Sequence, residues 1–580
     1  MKGKLKIIII TLVVLLIGTG ALLWKINDVS KEITAKEEAK LKEERDLLEE
    51  QKGKAIDETN PVNITPLYMS GDKKNVVTTE FDSVKEIYSV AKSAEVEETL
   101  TDIKKNKIFS LEDALWAYNP YGTNRNSMYV FFETKGNCYC RYTISVKDEK
   151  VADFTRTAIT NTSGNVTKEH EYQLIGLVAG ETNYITMRLY NSSDELSEVR
   201  TFSIDIPKSR VGAANLLEVT DGRSKTTISN GLYVVFQDAK KGSDKNGILL
   251  YDNSGTLRGE IPTLGKAGRN LEMVYDTLLY ASGDTQVSEI NALGQVMKTL
   301  PLNGYKIAGE FAYDDCGNIF MIVTEQQKGA VPRSKVVEME LETGKVTEMV
   351  DMNALLKNVY ADAARKAKKQ NIDWVGLNSV KVVDATTLLL SSKNLSSVFK
   401  VSNIGSLVTK IDYIIADRKL YQSYKGLHKK VLTKSAGDDA EPEETPVVDN
   451  ILHEPVKKDP FTSQYGQEAI GYKAGGEGIS TVTMLSTNTG TGAKNTGKAT
   501  YYSYLIDEQA MTYELKAQRN LEKTSVDGNV AMQKAGFVYC CSDKKLYSES
   551  DMNGKLIKQY SATTRPYRVY KSDFKNFWFY

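Results

Sequence analysis

Histidine is almost missing from this chain, with His170, His428 and His453 the three copies in 580 residues. A histidine metal cluster, an imidazole dyad or a phosphate relay therefore has almost no material. Proline is scarce at 12, and the five cysteines (Cys138, Cys140, Cys316, Cys540, Cys541) form no CxxC pair, which argues against a zinc site. Five is odd, so at least one thiol stays free or pairs elsewhere, and isolated buried thiols are the plainer reading. A surplus of one charge is lacking too. The 75 basic and 75 acidic residues cancel, and nothing overall argues for nucleic acid or a highly charged polymer as partner. There is no GxSxG, and His453-Glu454 lacks the second histidine of a zinc protease. Gly492–Lys498 has phosphate-loop spacing, but Ala499 follows where a magnesium-binding hydroxyl belongs. No metal or cofactor is expected.

Tyrosine, by contrast, is abundant at 32, which suits strands better than helices. At the N-terminus Lys2, Lys4 and Lys6 precede an uncharged run from Ile7 to Trp24, the pattern of an export signal or a single membrane-spanning helix. Gly18 and Gly20 are spaced for cleavage before Ala21. Against cleavage, Leu22, Leu23 and Trp24 extend the apolar run to an interfacial anchor. Either reading puts the bulk of the chain outside the cytoplasm, and the uncleaved form is a single-pass protein of a bacterial cell membrane. Residues 1–28 are read as this segment and 29–60 as a solvated helical stalk of Glu, Lys, Ala and Leu. Residues 61–114 form a linker with a short charged helix over Ser93–Lys107.

From residue 115 the period changes to two. Tyr129–Thr134, Tyr139–Val146, Glu171–Leu177, Asn183–Tyr190 and Val199–Ile206 read as short strands bounded by turn residues, and 115–210 is expected to be an immunoglobulin-like sandwich. Over 211–580 a strand–polar turn–strand unit recurs six times, beginning at Ile248, Val287, Val336, Val398, Tyr502 and Leu546. Each copy needs neighbours to bury its faces, so the expected architecture is all-β, with a six-bladed β-propeller after the sandwich. The acidic stretch Ala436–Val448 is expected to be an exposed loop on one rim.

Three segments carry more information: Asn119-Pro120-Tyr121-Gly122-Thr123-Asn124, Ile372–Val380 (IDWVGLNSV) with the strand ending at Lys393, and Asp459–Tyr472 (DPFTSQYGQEAIGY). With the YLIDEQAMTYEL blade, they make the chain from about residue 115 onward resemble the bacterial PAPS-independent arylsulfotransferases. The resemblance implies sulfuryl transfer from a phenolic ester to a phenol. An axial histidine is the nucleophile, and further histidines and an arginine hold the sulfate.

In this chain the implied residues have changed. The family pattern WxHxN is Trp374-Val375-Gly376-Leu377-Asn378, so Gly376 stands where a histidine is expected. Lys393 stands for the arginine, keeping charge without the bidentate fork. Glu468 occupies the nucleophile position of QYGQH, beside a retained Gln467, and the early histidine pair aligns with Arg269-Asn270. Two functions follow. One is a catalytically degenerate, membrane-anchored binding scaffold. The other is an altered sulfotransferase gripping sulfate with Lys393, Asn378 and Arg269. The expected ligand is a small aromatic or sulfated molecule in the propeller channel. The membrane is the expected partner of the N-terminal helix.

Overall fold

The computed structural model describes residues 62–63, 81–159, 165–238, 245–265, 270–435, 465–489 and 498–580. The expected membrane segment, the stalk, Arg269, His453, the acidic stretch and most of the phosphate-loop-like run lie outside them. No helix among the described residues is long and apolar enough to cross a membrane.

The first unit is built on one long strand, Ser127–Ser145. Its first half pairs with Thr167–Ile175 and Leu115–Tyr118, and its second half with Thr182–Asn191 and Phe154–Thr157. The register breaks between Glu133 and Cys138, where the strand passes from one set of partners to the other. Lys135-Gly136-Asn137 looks like a turn in sequence, but the two expected strands are one. The helix Val90–Asn106 starts at Ser89, whose side chain accepts from the Lys92 amide. It buries Val96 and Leu100, and its Ser93 hydroxyl accepts from the Val296 amide of the second unit.

The second unit comprises six sheets of four or five strands, the six blades of a propeller, antiparallel except for Thr433–Lys434, which runs parallel to Thr512–Leu521 on the outer edge of blade 5. Each recurrent hairpin seen in the sequence is the third and fourth strand of a blade in blades 2 to 6, such as Ser397–Ser402 with Lys410–Ile415 in blade 4. In blade 1 the hairpin is Asn246–Tyr251 with Leu257–Thr263, outside Leu232–Gln237. The innermost strand of that blade comes from the far end of the chain: Pro566–Ser572 pairs antiparallel with Leu232–Gln237. Blade 6 in turn receives Glu218–Asp221 on its outer edge, against Leu556–Ser561. The ring is thus closed twice, by strands from both ends of the propeller sequence.

Two features join the units. Arg258, fully buried on blade 1, pairs with Asp252 at 2.7 Å and donates to the carbonyls of Gly176 and Ala152 on the sandwich. Beyond the closing strand, Phe574, Phe577, Trp578 and Phe579 are buried, and Trp578 Nε1 donates to Gln173 Oε1 at 2.9 Å. Trp578→Ala removes that bond and a large buried ring, and is expected to lower stability by about 3–5 kcal/mol, read as a fall in the denaturant midpoint.

Candidate functional site

Blade strands alternate in direction, so the starts of the innermost strands and the turns between second and third strands share one end of the ring. Most of the site residues expected from sequence are at that end. Glu468 is the second residue of Gln467–Gly476, the innermost strand of blade 5. Asn378 is on Leu377–Asp384, the innermost strand of blade 4, and Lys393 directly follows Thr387–Ser392. Asn378 Nδ2 donates to the Gln467 carbonyl at 2.7 Å, tying the two blades together.

Glu468 is not free. Lys393 Nζ donates to its Oε1 at 3.0 Å and to the Ser525 carbonyl at 3.0 Å. Arg568, from the closing strand, donates to Glu468 Oε2 at 3.3 Å and places Nη1 2.9 Å from Glu310 Oε1. Glu310, on the innermost strand of blade 3, also accepts from the hydroxyls of Ser379 and Tyr570. Both carboxylates and Arg568 are buried. Around them Arg565 pairs with Asp238 at 3.1 Å and Asp527 at 2.6 Å. Burial pushes the Asp527 carboxyl up and Glu468 adds to this, while Arg565 and Arg568 pull it back. Three cations (Lys393, Arg565, Arg568) thus face four carboxylates (Glu310, Glu468, Asp238, Asp527).

Gly376 stands at the entrance to its strand with φ +58°, a conformation that favours glycine. Its carbonyl accepts from the Lys393 amide at 3.1 Å. A Cβ here would lie 2.6 Å from Asn394 Nδ2 and 3.2 Å from Arg333 Nη2. The volume a side chain would enter is therefore occupied by Asn394, whose amide donates to the Asp373 carbonyl, and by Arg333, which pairs with Asp373.

The other expected residues are engaged with other partners. Trp374 packs into the core against Tyr360, ring centroids 5.5 Å apart, and donates to Asn353 Oδ1 at 2.8 Å. Asn270 donates to Glu272 Oε1 and to the Phe311 carbonyl, with no bond to the Glu468 group. His170 is buried in the sandwich, stacked on Phe132, with Nδ1 2.6 Å from the Tyr172 hydroxyl and Nε2 3.3 Å from Cys138 Sγ. Burial pushes this imidazole down to about 4 and the Cys138 thiol up, the reverse of an activated thiolate–imidazolium pair. His428 ends a one-turn helix, Lys425–His428. No group of three metal-ligating side chains occurs among the described residues.

Among the buried atoms without a hydrogen-bond partner are Asn378 Oδ1, both amide atoms of Gln467 and Arg568 Nε. A cavity of about 240 Å³ at the joint of the two units, lined by Glu169, Glu171, Leu293 and Trp578, does not involve these residues.

A family model, Arylsulfotransferase (ASST), matches residues 218–570, and a second, Arylsulfotransferase Ig-like domain, matches residues 115–207. The chain belongs to the arylsulfotransferase family. No curated protein matches it in sequence. Similar solved structures include a periplasmic gluconolactonase of Pseudomonas aeruginosa, at 10% identity over 74% of this chain and 99% of that one, with a TM-score of 0.31. Another is an auxiliary nutrient binding protein of Bacteroides thetaiotaomicron, at 10% identity over 78% of this chain and 92% of that one, TM-score 0.30. Neither likeness bears on function.

The sequence reading did not single out Arg568, Glu310, Asp527, Arg333 or Asn394 for the site. Asn394 adjoins Lys393 and Arg333 sits in a plain loop, while Arg568 has only the alternation of its strand as a signal. Removing one member of the buried ion group leaves an unmatched charge. Lys393→Met is expected to destabilise by about 3–5 kcal/mol, with Lys393→Arg retaining most of the stability in denaturant unfolding. Gly376→His should also destabilise, and adding Asn394→Gly should restore part of the loss. Because His170 is held neutral, its ring should not titrate between about pH 7 and pH 5, followed by NMR. Its contribution to stability is present above the unfolded value near 6.5 and is lost as pH falls toward the folded value.

Proposed function

We propose that this chain is a membrane-tethered, extracytoplasmic member of the arylsulfotransferase family that lacks sulfuryl transfer and acts as a binding scaffold through the loop-rich end of its propeller. The observation that carries this reading is Glu468 held between Lys393 and Arg568. A nucleophile must present an unengaged lone pair to sulfur, and each Glu468 oxygen faces a cation. Attack would also give a labile mixed anhydride. The surrounding charge argues the same way, since a sulfate ester needs a net positive cradle. Here four carboxylates outnumber three cations. The excess of carboxylates favours a neutral aromatic ligand over a sulfated one.

The competing reading is an altered sulfotransferase gripping sulfate through Lys393 and Asn378. It requires Lys393 to leave both Glu468 and the Ser525 carbonyl. Incubation of the full chain with an aryl sulfate donor and a phenol acceptor, following release of the donor phenol, separates the two. No turnover is expected beside an active histidine-bearing family member. Turnover abolished by Glu468→Ala or Lys393→Ala, with the protein still folded, would overturn the proposal.

A further inference from the structure

Two insertions leave the propeller at the same end as the ion group. One follows blade 3 and carries the helix Lys357–Ala367; the other follows blade 4 and carries Arg418–Tyr421 and Lys425–His428. They pack on each other. Val359, Tyr360, Tyr421 and Leu427 share one apolar cluster, and the Tyr424 hydroxyl donates to Asp362 Oδ2 at 2.8 Å. The two insertions therefore present one continuous surface.

That surface is cationic in a chain whose total charge is zero. Residues 357–369 hold Lys357, Arg365, Lys366, Lys368 and Lys369, all exposed, against the single acid Asp362. Residues 418–430 hold Arg418, Lys419, Lys425, Lys429 and Lys430 and no acid. Among the described residues only one of these cations has an ion pair, Arg365 with Asp362 at 2.7 Å. The favourable position of cations in a last helical turn accounts for Arg365 and Lys366. It does not account for Lys357, in the first turn of the same helix.

From this we infer that the paired insertions are a docking surface for anionic phospholipid headgroups of the bilayer to which the chain is tethered. The inference rests on the proposed N-terminal tether, which would bring the propeller to a lipid surface. Eight of the ten cations are lysines, point charges suited to diffuse headgroup attraction rather than forked recognition of one anion. None of the three tyrosines in these stretches is exposed, so the surface offers no stacking platform for the bases of a nucleic acid. The attraction is screened over about 8 Å at physiological salt, so the patch acts only when held close to the membrane.

The test uses the full chain reconstituted into vesicles of zwitterionic lipid, with and without anionic phospholipid. Amine acylation is followed by mass spectrometry at Lys368, Lys425 and Lys429, with Lys150 of the sandwich as an exposed reference. Anionic lipid is expected to slow acylation of the three patch lysines by about five-fold, the factor for one cation engaged at an anionic surface. High salt should abolish the protection at all three lysines, and Lys368→Glu with Lys429→Glu should abolish it at Lys425, the reporter that remains. Equal rates in both lipids would overturn the inference. So would slowing by soluble polyphosphate without slowing by anionic vesicles, which would point to a dissolved polyanion. Retention on zwitterionic vesicles at high salt reads the tether alone, so its failure is separable from that of the patch.

Discussion

The pairing of Pro566–Ser572 with Leu232–Gln237 is the constraint on which the rest depends. It completes blade 1 and converts a row of sheets into a ring. It also carries Arg568 to the axis, between a carboxylate of blade 3 and one of blade 5. The same strand brings Tyr570 onto Glu310, and the residue before it, Arg565, reaches Asp238, 327 positions away along the chain. Ring closure and the charge group are thus one event seen at two scales.

A buried carboxylate places demands on its neighbours that a buried imidazole does not. A neutral imidazole can sit in a buried site with two hydrogen bonds, as His170 does in the sandwich. Glu468 brings a charge that burial penalises unless it is matched, and Lys393 and Arg568 match it. The cations that could have faced an anionic ligand are then committed to the protein itself. The family scaffold is retained in its blades and sandwich, and at its axial end Glu468 ties blade 5 to Lys393 and Arg568.

The six outer hairpins were legible in sequence because each holds two alternating strands around a Gly-, Asn- or Asp-bearing turn. The inner strands were not, since runs such as Leu377–Asp384 lack such punctuation and are identified only by what they face. Glu468, Asn378, Gln467 and Lys393 could be placed through short motifs, and the structure brings them together. Trp374 lay in the same motif, yet its indole is drawn toward Asn353 and Tyr360 and away from the axis. Arg568 and Glu310 depend on closure between distant segments, and no local pattern announces such a contact. The long strand Ser127–Ser145 was read as two, Tyr129–Thr134 and Tyr139–Val146, whereas here one strand changes partners across Lys135-Gly136-Asn137.

The double closure also bears on biogenesis. Glu218–Asp221 completes the last blade and Pro566–Ser572 the first, so neither junction can form until synthesis has passed residues 561 and 572 respectively. During synthesis or export the growing polypeptide carries open sheet edges that its own later residues must occupy. A chain cut short by a few tens of residues would lose the inner strand, Arg568 and the aromatic tail together. The closing strand thus acts as a check on synthesis, because only a chain that extends through Pro566–Ser572 can shut its own ring.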